Sequence, residues 1–494
     1  MGITDKFTSV DPAAGYDVAS WIVFNNVFQS LLRFPKNSTT PEPDVAKSCK
    51  FTDSLSRTFE CTVRQGLRFS NGDLLTAKDV AFSFERTLKI NDVNGPAVLL
   101  ESINRIEAPS SDRVVFHLKY SDATFPMKIA SGAGSIVNHR EYPADRLRTD
   151  GRSVGSGPYR LDSYSEGHEA TFSVNGQYRG SAAVQNSGMT VRFYHDESTL
   201  LSALQNREVD LAYRGLSPAD VATLRTRYNT GDAGVQVEEG AGPEIQHLVF
   251  NVSDSTVASS AVRQAVAYLI DRDEITAGIY HHTTSALYSL VPKGIIAHDN
   301  AYFNRYGQGG DKMKAAAVLS DAGITEKVSF TLWATPVRFG SGTVTEAQAI
   351  AQQLNTSGLF DIDVKIADAE EYADGITAGD YAAYIRGWVP DYPDPDNFTQ
   401  PLFGAGNILG NNYKDGKVSV LIQRSAAQRN RVDASEDFRK LQEIVAEDVP
   451  VIPLWQSNQC IVAQRDIQGL GSSLDISTVF RFWEIRKMDR GSWW

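Results

Sequence analysis

One run in the chain formally matches the elbow of serine hydrolases, Gly151-Arg152-Ser153-Val154-Gly155. An elbow needs a buried strand ahead of the serine and a helix behind it, so that the hydroxyl is held in a strained turn beside a base. The stretch ahead, Asp145-Arg146-Leu147-Arg148-Thr149-Asp150, is charged, and Ser156-Gly157-Pro158 behind it breaks helices. The match is therefore read as chance, with a Ser153 hydrolase as the least favoured function. Metal chemistry fares no better. The 8 histidines form no His-Glu-x-x-His pair, and the adjacent His281 and His282 would not share a helix face. The acidic run Asp391-Tyr392-Pro393-Asp394-Pro395-Asp396-Asn397 alternates like a calcium loop but lacks the turn glycine and the closing glutamate, and its two prolines stiffen it. With Trp388 just ahead of it, the run reads as a recognition element; a capped surface turn is the alternative. No phosphate-binding or dinucleotide-binding glycine loop follows a strand, so no cofactor and no metal are expected.

Cysteine chemistry is more definite. Cys49 and Cys61 flank a segment that reads as a hairpin, with Phe51 on one arm, Asp53 to Ser56 in the turn and Thr58-Phe59 on the return. Facing hairpin positions come close enough for a disulfide. A bridge implies an oxidising compartment, whereas two unrelated buried thiols would not. Cys460 lies in the apolar run Cys460-Ile461-Val462-Ala463 and is read as a buried free thiol.

The elements around these residues alternate between helix and strand. Thr76-Ala77-Lys78-Asp79 fits a capping box, followed by the apolar face Val80, Ala81, Phe84 and Leu88. Arg113 to Leu118 reads as a strand. Val262, Ala265, Val266, Leu269 and Ile270 recur at helical spacing, as do Phe438, Leu441, Ile444 and Val445 in a helix stopped before Pro450. Val451 to Trp455 reads as a short strand whose Pro453 suggests an edge or a terminus. Glycine and proline clusters at 151–158, 240–243 and 469–471 suggest boundaries. At 494 residues, 42% hydrophobic and 22% charged, the chain is long enough for two or three α/β lobes. The net charge of −12 disfavours nucleic acid and anionic membrane surfaces. No apolar run is long enough to span a bilayer, and Met1-Gly2-Ile3-Thr4-Asp5 lacks the character of a leader. The protein is expected to be cytoplasmic, or a leader has been removed ahead of residue 1.

A series of segments follows in order along the chain: Ser9-Val10-Asp11-Pro12; Leu67 to Asp73 with Leu75 to Val80; Gly155-Ser156-Gly157-Pro158-Tyr159; Phe250-Asn251; Val262 to Arg272; Trp388 to Phe398; and Val451 to Trp455. Taken together, they resemble family 5 of the extracellular solute-binding proteins, of the dipeptide- and oligopeptide-binding type. The resemblance runs nearly end to end. Most of these residues make sense as scaffold: Gly72 suits a turn of positive φ, Thr76 starts a helix, and Gly155 to Pro158 is read as a crossover between lobes.

The resemblance implies an α/β, two-lobed periplasmic-binding-protein fold of type II, the Venus-flytrap, with an extra inserted domain. Lobe I would comprise residues 1–30, 152–242 and 466–494, the insert 31–151, and lobe II 243–465. It further implies a protein that is not an enzyme. Such a protein captures short peptides between closing lobes and passes them to an ABC permease with cytoplasmic ATPases. It would be a monomer located outside the cytoplasm, in the periplasm or lipid-anchored on the outer face of the membrane. The same fold family also takes oligosaccharides, nickel chelates and haem. In its peptide-binding branch an aspartate three positions after a tryptophan holds the peptide ammonium; Trp388-Val389-Pro390-Asp391 reproduces that spacing. The backbones of Gly387 and Val389 would then pair with the peptide as a strand edge. Leu332 to Arg338 is similar to the segment that supplies a carboxylate-binding arginine, making Arg338 the candidate for the other terminus. Val389 stands where some members carry cysteine, and Phe339-Gly340-Ser341-Gly342 departs from the usual Pro-Tyr-Asn, which leaves preferred peptide length open.

Overall fold

The computed structural model describes residues 1–231, 234–336 and 342–488. In chain order, the elements that matter here begin with β1 (Gly2–Ile3), α1 (Val18–Val27), β2 (Ala46–Phe51), β3 (Thr58–Val63), α2 (Ala77–Ile90), β4 (Ile103–Ser110) and β5 (Arg113–Leu118). They continue with β6 (Tyr159–Ser165), β7 (Glu169–Val174), β8 (Gly188–Phe193), β9 (Leu211–Tyr213) and β10 (Val235–Phe250). After these come α3 (Ser260–Leu269), α4 (Arg272–Gly278), β11 (Val328–Ala334), α5 (Gly342–Thr356), β12 (Phe360–Ile366) and β13 (Ala383–Trp388). The last are α6 (Asp396–Phe403), α7 (Ser435–Asp448) and β14 (Val451–Gln464).

The chain divides into two compact units: Met1–Ala241 with Gln459–Trp494, and Gly242–Asn458. It leaves the first unit within β10 and returns within β14. The return therefore falls after Asn458, ahead of the 465/466 boundary expected from the sequence. The reason is that Val451–Trp455 is only the start of a strand that continues to Gln464. Pro453 sits near the beginning of that strand, where a missing N–H costs least.

In the first unit, β1 is flanked by β8 and β9, both parallel to it, while β8–β7–β6 run antiparallel and β9 pairs antiparallel with the end of β14. Residues 31–151 belong to this unit and carry their own antiparallel sheet, β2–β3–β5–β4. Within it Cys49 lies opposite Cys61 and the two are joined as a disulfide. The hairpin turn forms because the Asp53 side chain accepts the backbone N–H groups of Leu55 and Arg57, and Ser56 takes φ 56°. Cys460 is free and half-buried, and burial pushes its thiol up to about 12.

Sequence signals for the scaffold map onto definite contacts. The backbone N–H of Thr76 donates to Asp79 Oδ2 at 2.9 Å at the start of α2, and Gly72 takes φ 93°. Asp11 meets Arg86 of α2 through two bonds of 2.8 and 2.6 Å, with both side chains 1% exposed. Gly155 to Pro158 is not a crossover between lobes: the segment lies inside the first unit. Gly157 N–H donates to Val27 O at 2.8 Å, and a Cβ on Gly155 would stand 2.0 Å from that same carbonyl. Glycine is needed there for close approach to the end of α1.

In the second unit the strand order is β12–β11–β13–β10, followed by β14. β11 is parallel to β12 and β13, and β10 is antiparallel to β13. Val262, Ala265, Val266 and Leu269 of α3, and Phe438, Leu441 and Val445 of α7, are buried as their spacing predicts. Arg263 closes the end of α7, donating to Asp448 O at 2.7 Å and Val449 O at 3.0 Å, carbonyls that the helix itself leaves without partners.

Peptide mapping without reductant is expected to recover Cys49 and Cys61 linked and Cys460 alone alkylated. The double Cys49→Ala, Cys61→Ala variant should lose about 3 kcal/mol in urea denaturation, the loop-closure value for a ring of this size; an unchanged midpoint would show that the bridge adds nothing to the fold.

Candidate functional site

The acidic run of 391–397 connects β13 to α6, and its side chains build the turn. Asn397, 1% exposed, grips Asp391 twice: its Oδ1 accepts the Asp391 backbone N–H at 2.7 Å, and its Nδ2 donates to Asp391 Oδ2 at 2.9 Å. Asp394, also 1% exposed, accepts the Asp396 backbone N–H at 2.9 Å and receives a two-pronged bond from Arg431, Nε to Oδ2 at 2.8 Å and Nη2 to Oδ1 at 2.7 Å. Arg431 is itself held, with Nη1 donating to Ser425 O at 2.8 Å and Gln428 O at 3.1 Å, and its guanidinium packs over Phe438. Facing Asp394 raises the Arg431 pKa further, against the lowering effect of burial. Tyr392 OH donates to Asp396 Oδ2 at 3.0 Å. The alternating carboxylates thus serve as turn and ion-pair acceptors, and no group of acidic, histidine or cysteine side chains suited to a metal occurs among the described residues. Asp391 itself is half-buried.

Ahead of the turn, Gly387 and Trp388 end β13. On one side they pair with β10, in the rungs Gln246↔Gly387 and Ile245↔Trp388. On the other, β11 supplies rungs only to Ala383 and Tyr384, so the last residues of β13 have no strand partner there among the described residues. The Trp388 indole N–H is buried with no hydrogen-bond acceptor among the described residues. Gly387, Trp388, Val389 and Asp391 are all half-buried, with the buried Pro390 between the last two. Arg338 lies outside the described residues. Ser153 is buried and its hydroxyl donates to Val10 O at 3.0 Å; no base is bonded to it. The preceding Tyr142 OH is spent on Val154 N–H.

Arg431 is the residue that sequence reasoning missed. Nothing in its local pattern, Asn430-Arg431-Val432, indicates a partner in the acidic run. The only available signal is that a carboxylate enclosed by Tyr392, Pro393 and Pro395 would need a cation from elsewhere.

Residues 40–410 match the family described as bacterial extracellular solute-binding proteins, family 5. The chain belongs to that family: it is an extracytoplasmic solute-binding protein and not an enzyme. It is 26% identical over 487 residues to the probable D,D-dipeptide-binding periplasmic protein DdpA of Escherichia coli K12, covering 96% of this chain and 91% of that one. It is 27% identical over 482 residues to heme-binding protein A of Haemophilus influenzae, covering 90% and 83%. Among solved structures, the periplasmic binding protein DppA of Helicobacter pylori, in complex with the peptide STSA, superposes with a TM-score of 0.81 at 22% identity over 99% of this chain and 97% of that one. The fold is that of type II periplasmic binding proteins. No helix among the described residues is long and apolar enough to cross a membrane.

Replacing Arg431 by alanine strands the buried Asp394 charge and should cost about 3–5 kcal/mol in urea denaturation at pH 7. Arg431→Lys should recover only part, since an ammonium cannot fork to both oxygens. A loss below about 1 kcal/mol, the range of exposed pairs, would contradict this role.

Proposed function

We propose that this protein captures short peptides, from dipeptides to oligopeptides, and delivers them to an ABC permease served by cytoplasmic ATPases. The observation that carries the reading is Asp391. The structure spends a buried asparagine, with a backbone and a side-chain bond, on fixing one carboxylate at the open end of a strand. A peptide offers what such an arrangement can use. It has an ammonium for the carboxylate and a backbone for the edge at Gly387 and Val389. The Trp388 indole is a flat apolar wall beside them. Arg338 is the proposed partner of the peptide carboxylate, in keeping with the bidentate geometry that arginine offers.

Within the same proposal the protein works as a monomer, in the periplasm or lipid-anchored outside the cell membrane. Residues 31–151, with their separate sheet, form the inserted domain, and the rest of the first unit forms lobe I. The peptide-binding names among the relatives support this reading. The haem-binding relative, of comparable identity, supports the second one, a non-peptide solute on the same fold.

Chemical blocking separates the two readings. If Asp391 pairs with a peptide ammonium away from water, Asp391→Asn should weaken a free dipeptide or tripeptide by about 2–5 kcal/mol, because the ammonium then stays buried without a partner. N-acetylation of the peptide should weaken binding to the unmodified protein similarly. The two changes together should cost little more than either alone, since they remove one interaction. Calorimetry in which N-acetylated and free peptides bind equally well would remove Asp391 as the anchor and favour a non-peptide solute.

A further inference from the structure

Behind the strand end lies a buried carboxylate that no ion pair balances among the described residues. Glu346, on α5, is fully buried and accepts three hydrogen bonds from three other segments. Trp455 Nε1 of β14 donates to Oε1 at 2.7 Å. Tyr280 OH, just past α4, donates to Oε2 at 3.1 Å, and Gln246 Nε2 of β10 donates to the same oxygen at 3.3 Å. All three donors are themselves buried. Gln246 is the residue that forms the rung with Gly387, and α5 begins at Gly342, shortly after Arg338. One carboxylate therefore ties the strand beneath Gly387 to the helix that follows the Arg338 segment.

We propose that Glu346 is a positioning residue for the ligand site: by joining α5 to β10 and β14 it fixes the Gln246–Gly387 rung, and its ionised form is the one that supports binding. This rests on the peptide reading of the β13 end. The carboxylate can accept from all three donors at once. A protonated Glu346 must turn one oxygen into a donor, and the acceptors within reach are the Tyr280 hydroxyl and the Gln246 amide oxygen, which now has no partner. Either choice reorders the contacts that hold Gln246 in place.

The carboxyl is poised for this change. Burial pushes Glu346 up to about 7, against the bonds from Gln246, Trp455 and Tyr280 that pull it down. The other titratable groups around it do not substitute for it. Burial raises Tyr280 far above neutrality, so it stays a phenol. His247, next to Gln246 but on the opposite face of β10, is pushed down by burial to about 3 and stays neutral. Glu244 shares the Gln246 face two positions earlier on β10. The Asp271 carboxylate, just ahead of α4, accepts the Asp273 and Glu274 N–H groups, the Glu274 carboxylate accepts from Gln353 Nε2 further along α5, and Arg272 Nε donates to Pro453 O at 2.6 Å.

Because the folded value lies above the unfolded one, folding takes up a proton in the window between about 4.5 and 7. The stability that Glu346 contributes is present at low pH and is lost as pH rises through about 7. Ligand binding runs the other way, since it selects the ionised form and releases the proton.

Calorimetry with a free dipeptide at pH 5.5 and 7.5 tests the assignment. The wild type should bind roughly five- to tenfold more weakly at pH 5.5, about the net worth of one ordinary hydrogen bond. Glu346→Gln should bind weakly at both pH values, and comparison of the two proteins at each pH cancels the titration of the peptide itself. In the wild type at pH 6.5, buffers of different ionisation enthalpy should reveal proton release on binding, a readout that needs no variant. Thermal melts of ligand-free protein should show Glu346→Gln gaining stability relative to the wild type as pH rises from 5 to 7, because the contributions of Asp44, His247 and the Met1 amine are common to both proteins and cancel in the difference. An unchanged pH profile in Glu346→Gln, or no proton release by the wild type, overturns the assignment. Failure of the wild type to bind any free peptide at either pH would instead refute the peptide reading.

Discussion

The buried pair between Asp394 and Arg431 is the constraint on which the strand end depends. Between Trp388 and Asp396 the chain must turn from a strand into a helix, and three prolines remove N–H groups that could have made backbone bonds. Side-chain carboxylates take over that work. Asp394 does so from a position 1% exposed, where an unpaired charge would be expelled. Arg431 supplies the opposite charge in a fork that fits both oxygens, and two carbonyls hold the fork in turn. Removing either side leaves the other stranded. With Asp394 fixed, Asp396 and Asn397 begin α6 in register, and Asn397 can reach back to Asp391.

The same device recurs in the scaffold. Arg86 holds Asp11, Arg263 covers the end of α7, and Arg272 caps the Pro453 carbonyl while its guanidinium lies over the Tyr288 ring at 4.5 Å. Burial lowers Arg272 to about 10, which leaves it charged at neutral pH. Arg263, Arg272 and the Asp11 that Arg86 holds fall in the segments that carry the family resemblance, and each arginine meets a carbonyl or carboxylate from a distant part of the chain. The side chains proposed for the ligand are of another kind. Those among the described residues are half-buried and lie at or just past the end of β13, beyond the last described rung to β11.

Much of this was legible in the sequence because it is local. The Cys49–Cys61 hairpin announces itself by a turn aspartate between two short apolar arms. The start of α2 shows in Thr76 and Asp79, and the buried faces of α3 and α7 follow from spacing alone. What was not legible depends on partners far along the chain. Gly155 looked like a crossover because glycine marks both hinges and close contacts, and only the carbonyl of Val27 decides between them. The continuation of β14 past Trp455 is carried first by pairing of Trp455 to Ser457 with Thr284–Ala286 and then by pairing of Ile461 to Ala463 with β9, since Gln456 to Gln459 are polar and give no strand signal by themselves. Neither Arg431 nor the Glu346 cluster has a local signature: each is assembled from segments that only the fold brings together.

Three layers thus converge on one short edge. Arg431 and Asn397 fix the turn, Glu346 and Gln246 support the rung beneath Gly387, and among the described residues β11 supplies no rung to Gly387 or Trp388. A crystal structure of the complex with a dipeptide of free termini tests the peptide anchor most directly. The peptide nitrogen is expected at about 2.7–2.9 Å from an Asp391 carboxylate oxygen, the distance of a charge-assisted bond, with the peptide backbone paired to Gly387 or Val389. A bound dipeptide whose ammonium is neutralised elsewhere, with Asp391 bonded only within its own turn, would contradict it.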